Sequence, residues 1–323
     1  MMKCILVTGG AGFIGSHFVE WMLARDSKVR VVNLDALTYA GSLGNLQGVL
    51  GHPRHIFLKG DIRDKGMVEE VFNLHQVDQV VNLAAQSHVD RSIQDPSEFV
   101  STNVLGTQVL LDAALKAWRL PGSGPGDRSF REGVRFLQVS TDEVYGAIRE
   151  GRFTEESPLA PNSPYAASKA GADLLVRAYS QTYGLPVNVT RCSNNYGPRQ
   201  HPEKLIPRMA ELALAGRPLP VYGDGLQVRD WLHVRDHCAA LSLVLERGNP
   251  GEVYNIGGDN EQTNLEIVGR ILRIQGRPRD LVVHVEDRLG HDRRYAVDHG
   301  KITRELGWRP TVEFTQGLEE TVR

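Results

Sequence analysis

The chain of 323 residues has only three cysteines, Cys4, Cys192 and Cys238. They are scattered and no pair has metal-ligand spacing, so neither a disulfide framework nor a metal site is expected. Reduced thiols used as small apolar residues fit better. A surplus of one charge is also lacking: 37 basic residues stand against 39 acidic ones, a net charge of −2. That balance leaves no footprint for a nucleic-acid partner. No run approaches eighteen uninterrupted apolar residues, which argues against a membrane span. The apolar run in MMKCILVTGGAGFIG is too short for a signal peptide and reads as a strand entering a glycine turn. A cytoplasmic protein is therefore expected. No internal repeat is visible.

What is present is an ordinary globular balance, 41% apolar and 24% charged, in a length that allows one large domain or two fused ones. The first half alternates β-branched runs with helical patterns. The runs are CILVT (4–8), VRVVNLD (29–35), HIFLKGD (55–61), QVVNLAA (79–85), RFLQVST (135–141) and VNVTRCS (187–193). Helical patterns fall near 13–24, 65–74, 99–118 and 164–183. This predicts an α/β fold with a doubly wound parallel sheet covered on both faces. RLPGSGPGDRSFREG (119–133) has no period and reads as an exposed loop. After residue 194 short strands, helices and proline turns suggest a smaller α/β lobe. Domains of 1–193 and 194–323 are expected, with a soft boundary that allows interleaving.

TGGAGFIG places Gly9, Gly12 and Gly15, with Phe13 and Ile14 between them, from a strand end into a helix. Glycine lets the backbone turn tightly against a pyrophosphate, and the helix N-terminus offers free N–H groups. Asp35 follows Gly15 by twenty residues, at the end of the second strand. A carboxylate there accepts from a ribose diol and repels a 2′-phosphate, which favours NAD over NADP. The alternative is a helix-capping turn without a ligand. Asp61 with Ile62 could reach an adenine edge or be a plain strand-end turn. LAAQSH (83–88), containing Ala84, ends the fourth strand at the same sheet edge.

Tyr165 and Lys169, in YAASK, are four apart and share one helix face. A Lys ammonium at ~5 Å and an effective dielectric of ~20 favours the phenolate by roughly 3 kcal/mol, about two pKa units. That would bring a tyrosine near working pH as a general base. A solvent-facing i,i+4 pair would have the same spacing. Upstream, Ser140 and Thr141 end a strand, and the adjacent carboxyls Asp142 and Glu143 follow. A carboxylic acid and a carboxylate held apart in acidity can divide an elimination, one protonating a leaving hydroxide and the other taking a proton. The competing reading is an acidic pair at a helix start, favoured by the dipole alone.

Together TGGAGFIG, Asp35, STDEVYG and YAASK resemble the extended short-chain dehydrogenase/reductase family, whose core is a Rossmann fold. Within it STDEVYG is most similar to the dTDP-glucose 4,6-dehydratases. DALTYAG (35–41), SHVDRSI (87–93), TRCSNNYGP (190–198), PEKLIP (202–207), VYGDG to VRDWLHV (221–234) and DRLGHDRRYAVD (287–298) agree, so the resemblance runs over nearly the whole chain. It implies a bound NAD, a small nucleotide-sugar substrate and a homodimer. It also implies that Tyr165 and Lys169 serve oxidation at C4, that Thr141 orients the hydroxyl, that Glu143 deprotonates C5 and that Asp142 protonates the C6 hydroxyl. Besides the residues already named, Asn195 matches a cofactor-side position. Ser87, Asn194, Lys204, Leu205, Asn264 and Tyr295 match substrate contacts, and Arg229 and Arg288 are candidates for the diphosphate. His291 and Asp292 belong to the matched motif without a distinct role. Gln86 stands where the family usually has Glu. The rival readings are a nucleotide-sugar 4-epimerase, for which the acid pair would be idle, a uronic-acid decarboxylase, and an NAD-sensing regulator without chemistry.

Overall fold

Alternation within short buried strands builds the centre of the protein. The computed structural model describes residues 2–122 and 127–323. Strands β1 (Lys3–Thr8), β2 (Val29–Asp35), β3 (His55–Lys59), β4 (Gln79–Asn82), β5 (Arg135–Thr141) and β6 (Val187–Cys192) pair in parallel. Successive side chains point to opposite faces. In β1, Ile5 and Val7 join one core cluster while Cys4 and Leu6 join the other. The first cluster is closed by α1 (Phe13–Arg25), through Phe18, Val19 and Met22. On the second face lie α2 (Lys65–His75), the short α3 (Val89–Gln94) and α4 (Pro96–Phe99), then α5 (Gly106–Trp118) and α6 (Pro164–Tyr183).

The rest of the chain runs β7 (Asn194–Tyr196), α7 (Leu205–Leu214), β8 (Leu219–Tyr222), β9 (Val228–His233), α8 (Val234–Arg247) and β10 (Val253–Ile256). It ends with β11 (Glu261–Thr263), α9 (Asn264–Ile274), β12 (Val282–Val285), α10 (Gly300–Leu306) and α11 (Phe314–Val322). The chain crosses residue 194 and then returns. β10 pairs in parallel with β6 as the seventh strand, giving the order β10-β6-β5-β4-β1-β2-β3. α8 packs Leu241 and Val244 into the same core as α1. The sheet and its core thus draw on residues from both sides of residue 194. The second lobe has its own core of Ile206, Met209, Val221, Trp231, Ile267, Ile271 and Phe314. No helix among the described residues is long and apolar enough to cross a membrane.

Three local expectations change. The strands expected over 55–61 and 79–85 stop at Lys59 and Asn82, and the remaining residues form the loops that edge the site. The helix expected over 99–118 begins with a π-helical turn, Val100–Leu105, before α5. That wider turn buries Asn103, which accepts from the Gln86 N–H at 2.9 Å and donates to the Gln86 carbonyl at 3.0 Å and to the Ser168 hydroxyl at 2.8 Å. The 119–133 segment is not free along its length. Leu120 N–H donates to Ser129 O at 3.1 Å and Arg131 N–H to Trp118 O at 2.9 Å; residues 123–126 lie outside the described residues. The three cysteines are free and buried.

Candidate active site

Parallel strands all end on one side, so the loops after β1, β2, β3, β4, β5 and β6 meet at a single edge. A cleft there gathers Gly9, Gly12, Phe13, Ile14, Gly15, Asp35, Asp61, Ile62, Ala84, Ser87, Thr141, Asp142, Glu143, Tyr165, Lys169, Asn194, Asn195 and Lys204. All of the positions expected to hold a dinucleotide or do chemistry are in its wall.

The glycine turn is shaped by exclusion of side chains. Gly9 has φ +68°, and a β-carbon on it would stand 2.7 Å from the Ala84 nitrogen. One on Gly15 would stand 2.2 Å from the Gly9 carbonyl oxygen, so α1 could not approach the turn. No side chain caps α1 at Gly12 and no acidic residue lies in its first turn, which leaves its positive end for an anion. Asp35 closes the turn from β2, accepting from Ala11 N–H at 2.8 Å and Leu37 N–H at 2.7 Å. Burial raises its carboxyl above the usual range, against those two hydrogen bonds. A dinucleotide with a free ribose diol fits this cradle. Asp61 is on the cleft wall but is already engaged: Arg63 holds its two oxygens, with Nη2 to Oδ2 at 2.7 Å and the backbone N–H to Oδ1 at 2.8 Å.

The acid pair sits in a single 3-10 turn, Asp142–Tyr145, directly after β5. Thr141 caps the turn, its hydroxyl accepting from Glu143 N–H at 3.3 Å and donating to Asp142 Oδ1 at 3.3 Å. The environments differ. Asp142 is 2% exposed, and among the described residues its Oδ2 has no hydrogen-bond partner. Burial, then the charges of Glu143 and Asp230, push its carboxyl well above the ordinary value. Burial also raises Glu143, but Arg288, Lys204 and Arg229 all pull it back. Neighbouring carboxyls thus differ in acidity because three second-lobe cations bear on Glu143 and only Arg229 of these bears on Asp142.

Tyr165 stands in the first turn of α6, behind the N-cap Ser163, which accepts from Ala166 N–H at 3.1 Å. Lys169 follows one turn later on α6, and both side chains line the cleft. Burial raises the Tyr165 phenol well above its usual value, and Glu143, Cys192 and Asp142 raise it further; only the Thr141 hydroxyl opposes. Lys169 donates to the Val139 carbonyl at 2.7 Å. The i,i+4 spacing is met, but the ammonium is turned towards β5, and its own affinity for a proton is lowered by burial.

The second lobe supplies the remaining wall. Lys204 Nζ donates to the Ser87 carbonyl at 2.8 Å, bridging the lobes. Asn194 Oδ1 is buried with no partner among the described residues. Asn195 Oδ1 accepts from His237 Nδ1 at 2.8 Å, so that ring nitrogen carries the proton. Arg229, Arg288, His291 and Tyr295 lie just behind the wall. Arg229 is 5% exposed, not a surface arginine, and donates to Asp292 O at 2.9 Å while stacking 4.3 Å from the Tyr295 ring centroid. Tyr295 donates to Asp292 Oδ2 at 2.5 Å, and His291 Nδ1 meets Asp287 Oδ1 at 2.6 Å. Arg288 lies 3.6 Å from Asp90. Leu205 packs into the second core, and Asn264 begins α9 with its N–H on Gln227 O at 3.0 Å; neither side chain is in the cleft wall.

Sequence patterns pass over several residues that shape this site. Asp230 lies 3% exposed under Asp142, accepting from Ser193 Oγ at 2.6 Å and Gly258 N–H at 2.7 Å. Arg199, at φ +67°, ties the 197–204 segment to α1 by donating to both Glu20 carboxylate oxygens at 2.7 and 2.6 Å and to Asn45 O at 2.6 Å. Glu203 sits between His88, Arg91 and His201, 3.6–3.7 Å from each. Glu203 lies in PEKLIP and Asp230 in VRDWLHV, but neither stretch gives its role; Arg199 acts across elements far apart in the chain.

The family described as GDP-mannose 4,6 dehydratase matches residues 6–321. A dTDP-glucose 4,6-dehydratase from Xanthomonas campestris pv. campestris is 55% identical, over 99% of this chain and 92% of that protein. The low-salt glycan biosynthesis protein Agl12 of Haloferax volcanii is 56% identical, over 98% and 97%. Among solved structures, the dTDP-glucose 4,6-dehydratase of Streptomyces venezuelae, crystallised with NAD bound, superposes with a TM-score of 0.92 at 53% identity, covering 99% of this chain and 96% of that one. With its fold, its glycine turn and its acid pair all in place, this chain belongs to the nucleotide-sugar 4,6-dehydratase family.

Proposed function

We propose that the chain is an NAD-dependent lyase that converts dTDP-glucose to dTDP-4-keto-6-deoxyglucose with loss of water. The observation that carries this reading is the pair Asp142–Glu143 at the cleft, Asp142 buried and Glu143 half-buried, with unequal acidity. A 4-epimerase or a non-catalytic NAD sensor has no use for it. NAD, held by Gly9, Gly12, Gly15 and Asp35, would supply an acceptor for the C4 hydride and a hydride donor for C6. The chain's own residues do the rest. Tyr165, as phenolate, takes the C4 hydroxyl proton while Thr141 orients that oxygen. The resulting ketone acidifies C5–H, and Glu143 takes that proton. Asp142, kept protonated by burial, gives its proton to the C6 hydroxyl, which leaves as water. C5 is then reprotonated. Lys204, Arg229 and Arg288 hold the substrate's anionic half, with Ser87, Asn194, Asn264, His291, Tyr295 and the backbone at Leu205 around it. The sheet domain would hold the cofactor and the second lobe the nucleotide sugar.

The direct test incubates the protein with dTDP-glucose and catalytic NAD and follows the sugar nucleotide by mass spectrometry. Loss of one water without net reduction of the cofactor is the expected result. An unchanged mass with inversion at C4 by NMR would replace this reading with the epimerase. Bound NAD with an inert substrate would favour the sensor.

The same proposal includes a cytoplasmic homodimer formed through α5 and α6. Val100, Leu105 and Leu174 support this by lying 54, 47 and 55% exposed on or beside those helices. Sedimentation at twice the chain mass is expected, and Leu174→Glu should shift it towards the monomer; a monomer in the unmodified protein would remove the dimer from the proposal.

A further inference from the structure

Behind the Tyr165–Lys169 pair, α6 carries a third charged side chain that the mechanism leaves unused. Asp173 stands one turn beyond Lys169, so Tyr165, Lys169 and Asp173 form an i, i+4, i+8 stripe. The Asp173 side chain is 1% exposed and accepts from Arg191 Nε at 3.0 Å; Arg191 is itself 7% exposed. Arg191 lies opposite Ser140 in the β5–β6 register, and Lys169 is bonded to the Val139 carbonyl next to it on β5. Helix and strands thus place both cations around one carboxylate.

The contacts continue into the catalytic turn. Arg191 Nη1 donates to the Tyr145 hydroxyl at 2.9 Å, with the guanidinium 4.8 Å from the ring centroid. Tyr145 is the last residue of the turn that carries Asp142 and Glu143, and its hydroxyl donates to Asn255 Oδ1 on β10 at 2.8 Å. A single buried path therefore joins the helix of Tyr165 and Lys169 to the acid pair.

A buried ammonium bonded only to a neutral carbonyl would shed its proton unless an anion stands nearby. The titratable groups that bear on Lys169 are Asp173 on α6 and the Cys192 thiol on β6. Burial pushes Cys192 up to about 12, so it is uncharged at neutral pH. Tyr165 stands on the cleft side, with Glu143 and Asp142 beyond it. Around Asp173 itself lie Arg191, Lys169 and the Ser140 hydroxyl. We propose that Asp173, clamped by Arg191, is a positioning residue: the fixed counter-charge that keeps the Lys169 ammonium charged and seated beneath Tyr165. The Arg191–Tyr145 contact holds that seat in register with the acid pair. The inference rests on the reading of Tyr165 and Lys169 as the pair that serves oxidation at C4.

The test uses the NAD-loaded full chain with lysine labelled at Cε, the Lys169 signal being assigned by its loss in Lys169→Met. NMR titration is run beside the pH profile of turnover on dTDP-glucose. Asp173→Asn should lower the Lys169 midpoint by about one pH unit or more, and the alkaline limb of kcat should move down with it. Asp173→Glu should restore both. Should Asp173→Asn not fold, the pair D173N/R191M, which removes both charges, should still lower the midpoint, by a smaller amount. A midpoint that stays in place in either variant overturns the inference, since a merely structural aspartate would cut turnover without moving it. A midpoint that falls while the kcat profile stays put upholds the counter-charge and overturns the role given to Lys169 instead.

Discussion

Glu143→Gln is expected to lower turnover of dTDP-glucose by about 10²–10⁴-fold, the usual contribution of a positioned general base. Oxidation at C4 should survive. The amide keeps the shape of the side chain but cannot take the C5 proton, so the reduced cofactor should accumulate in a single turnover and no solvent deuterium should enter C5. Asp142→Asn should also stall before water is lost, but with deuterium exchange at C5 retained, because Glu143 is intact. Exchange retained in Glu143→Gln and lost in Asp142→Asn would reverse the two roles.

The same aspartate has a predictable effect on stability. Its folded carboxyl lies well above its unfolded value because it is buried beside Glu143 and over Asp230. The folded chain therefore holds a proton that the unfolded chain releases. The stability this contributes is fully present below the unfolded value, about 4, and is lost as pH rises through the folded one. Asp142→Asn should thus raise the melting temperature at neutral pH, by about 1–2 °C for each kcal/mol recovered, and leave it unchanged near pH 3. An active-site group that reduces stability where the enzyme works is a common trade of stability for function. An equal change at both pH values would mean that packing, not charge, governs the substitution.

Tyr165→Phe is expected to remove C4 oxidation itself, lowering the single-turnover rate of cofactor reduction by about 10³-fold. NAD binding should persist, since the cradle of Gly9, Gly12, Gly15 and Asp35 is untouched. Burial and the nearby carboxyls hold the phenol of this structure high, so in the unmodified protein the phenolate fraction, and with it the rate of reduction, should rise with pH. The residual rate of Tyr165→Phe should be flat over the same range. A rate that still climbs with pH in Tyr165→Phe would assign the base to another group.

Much of the site was legible because its constraints are local. The turn at Gly9 needs a positive φ and the approach of α1 needs Gly15 without a β-carbon, and both demands are written in neighbouring residues. Strand-end placement of Asp35 and of Thr141–Glu143 followed from hydrophobic period and length. The strand pattern over 79–85 runs past β4 because Leu83, Ala84 and Ala85 are apolar yet line the cleft, and Gly60 and Asp61 after β3 likewise lie in its wall. The π-helical turn at Val100–Leu105 had no signal, since it is decided by what Asn103 holds on Gln86 and Ser168 rather than by its own side-chain pattern.

The sequence alone determined the parallel α/β core, the dinucleotide cradle and the identity of the acid pair, for these depend on residues a few positions apart. Which carboxyl keeps its proton was decided only in three dimensions. Asp142 meets Asp230 on β9, while Glu143 faces Arg288, Lys204 and Arg229. The tertiary structure also decided that Lys169 donates to the Val139 carbonyl with Asp173 as its anionic neighbour. Spacing puts two side chains on one face of a helix. The direction of a charge, and the cost of burying it, depend on groups that only folding brings near.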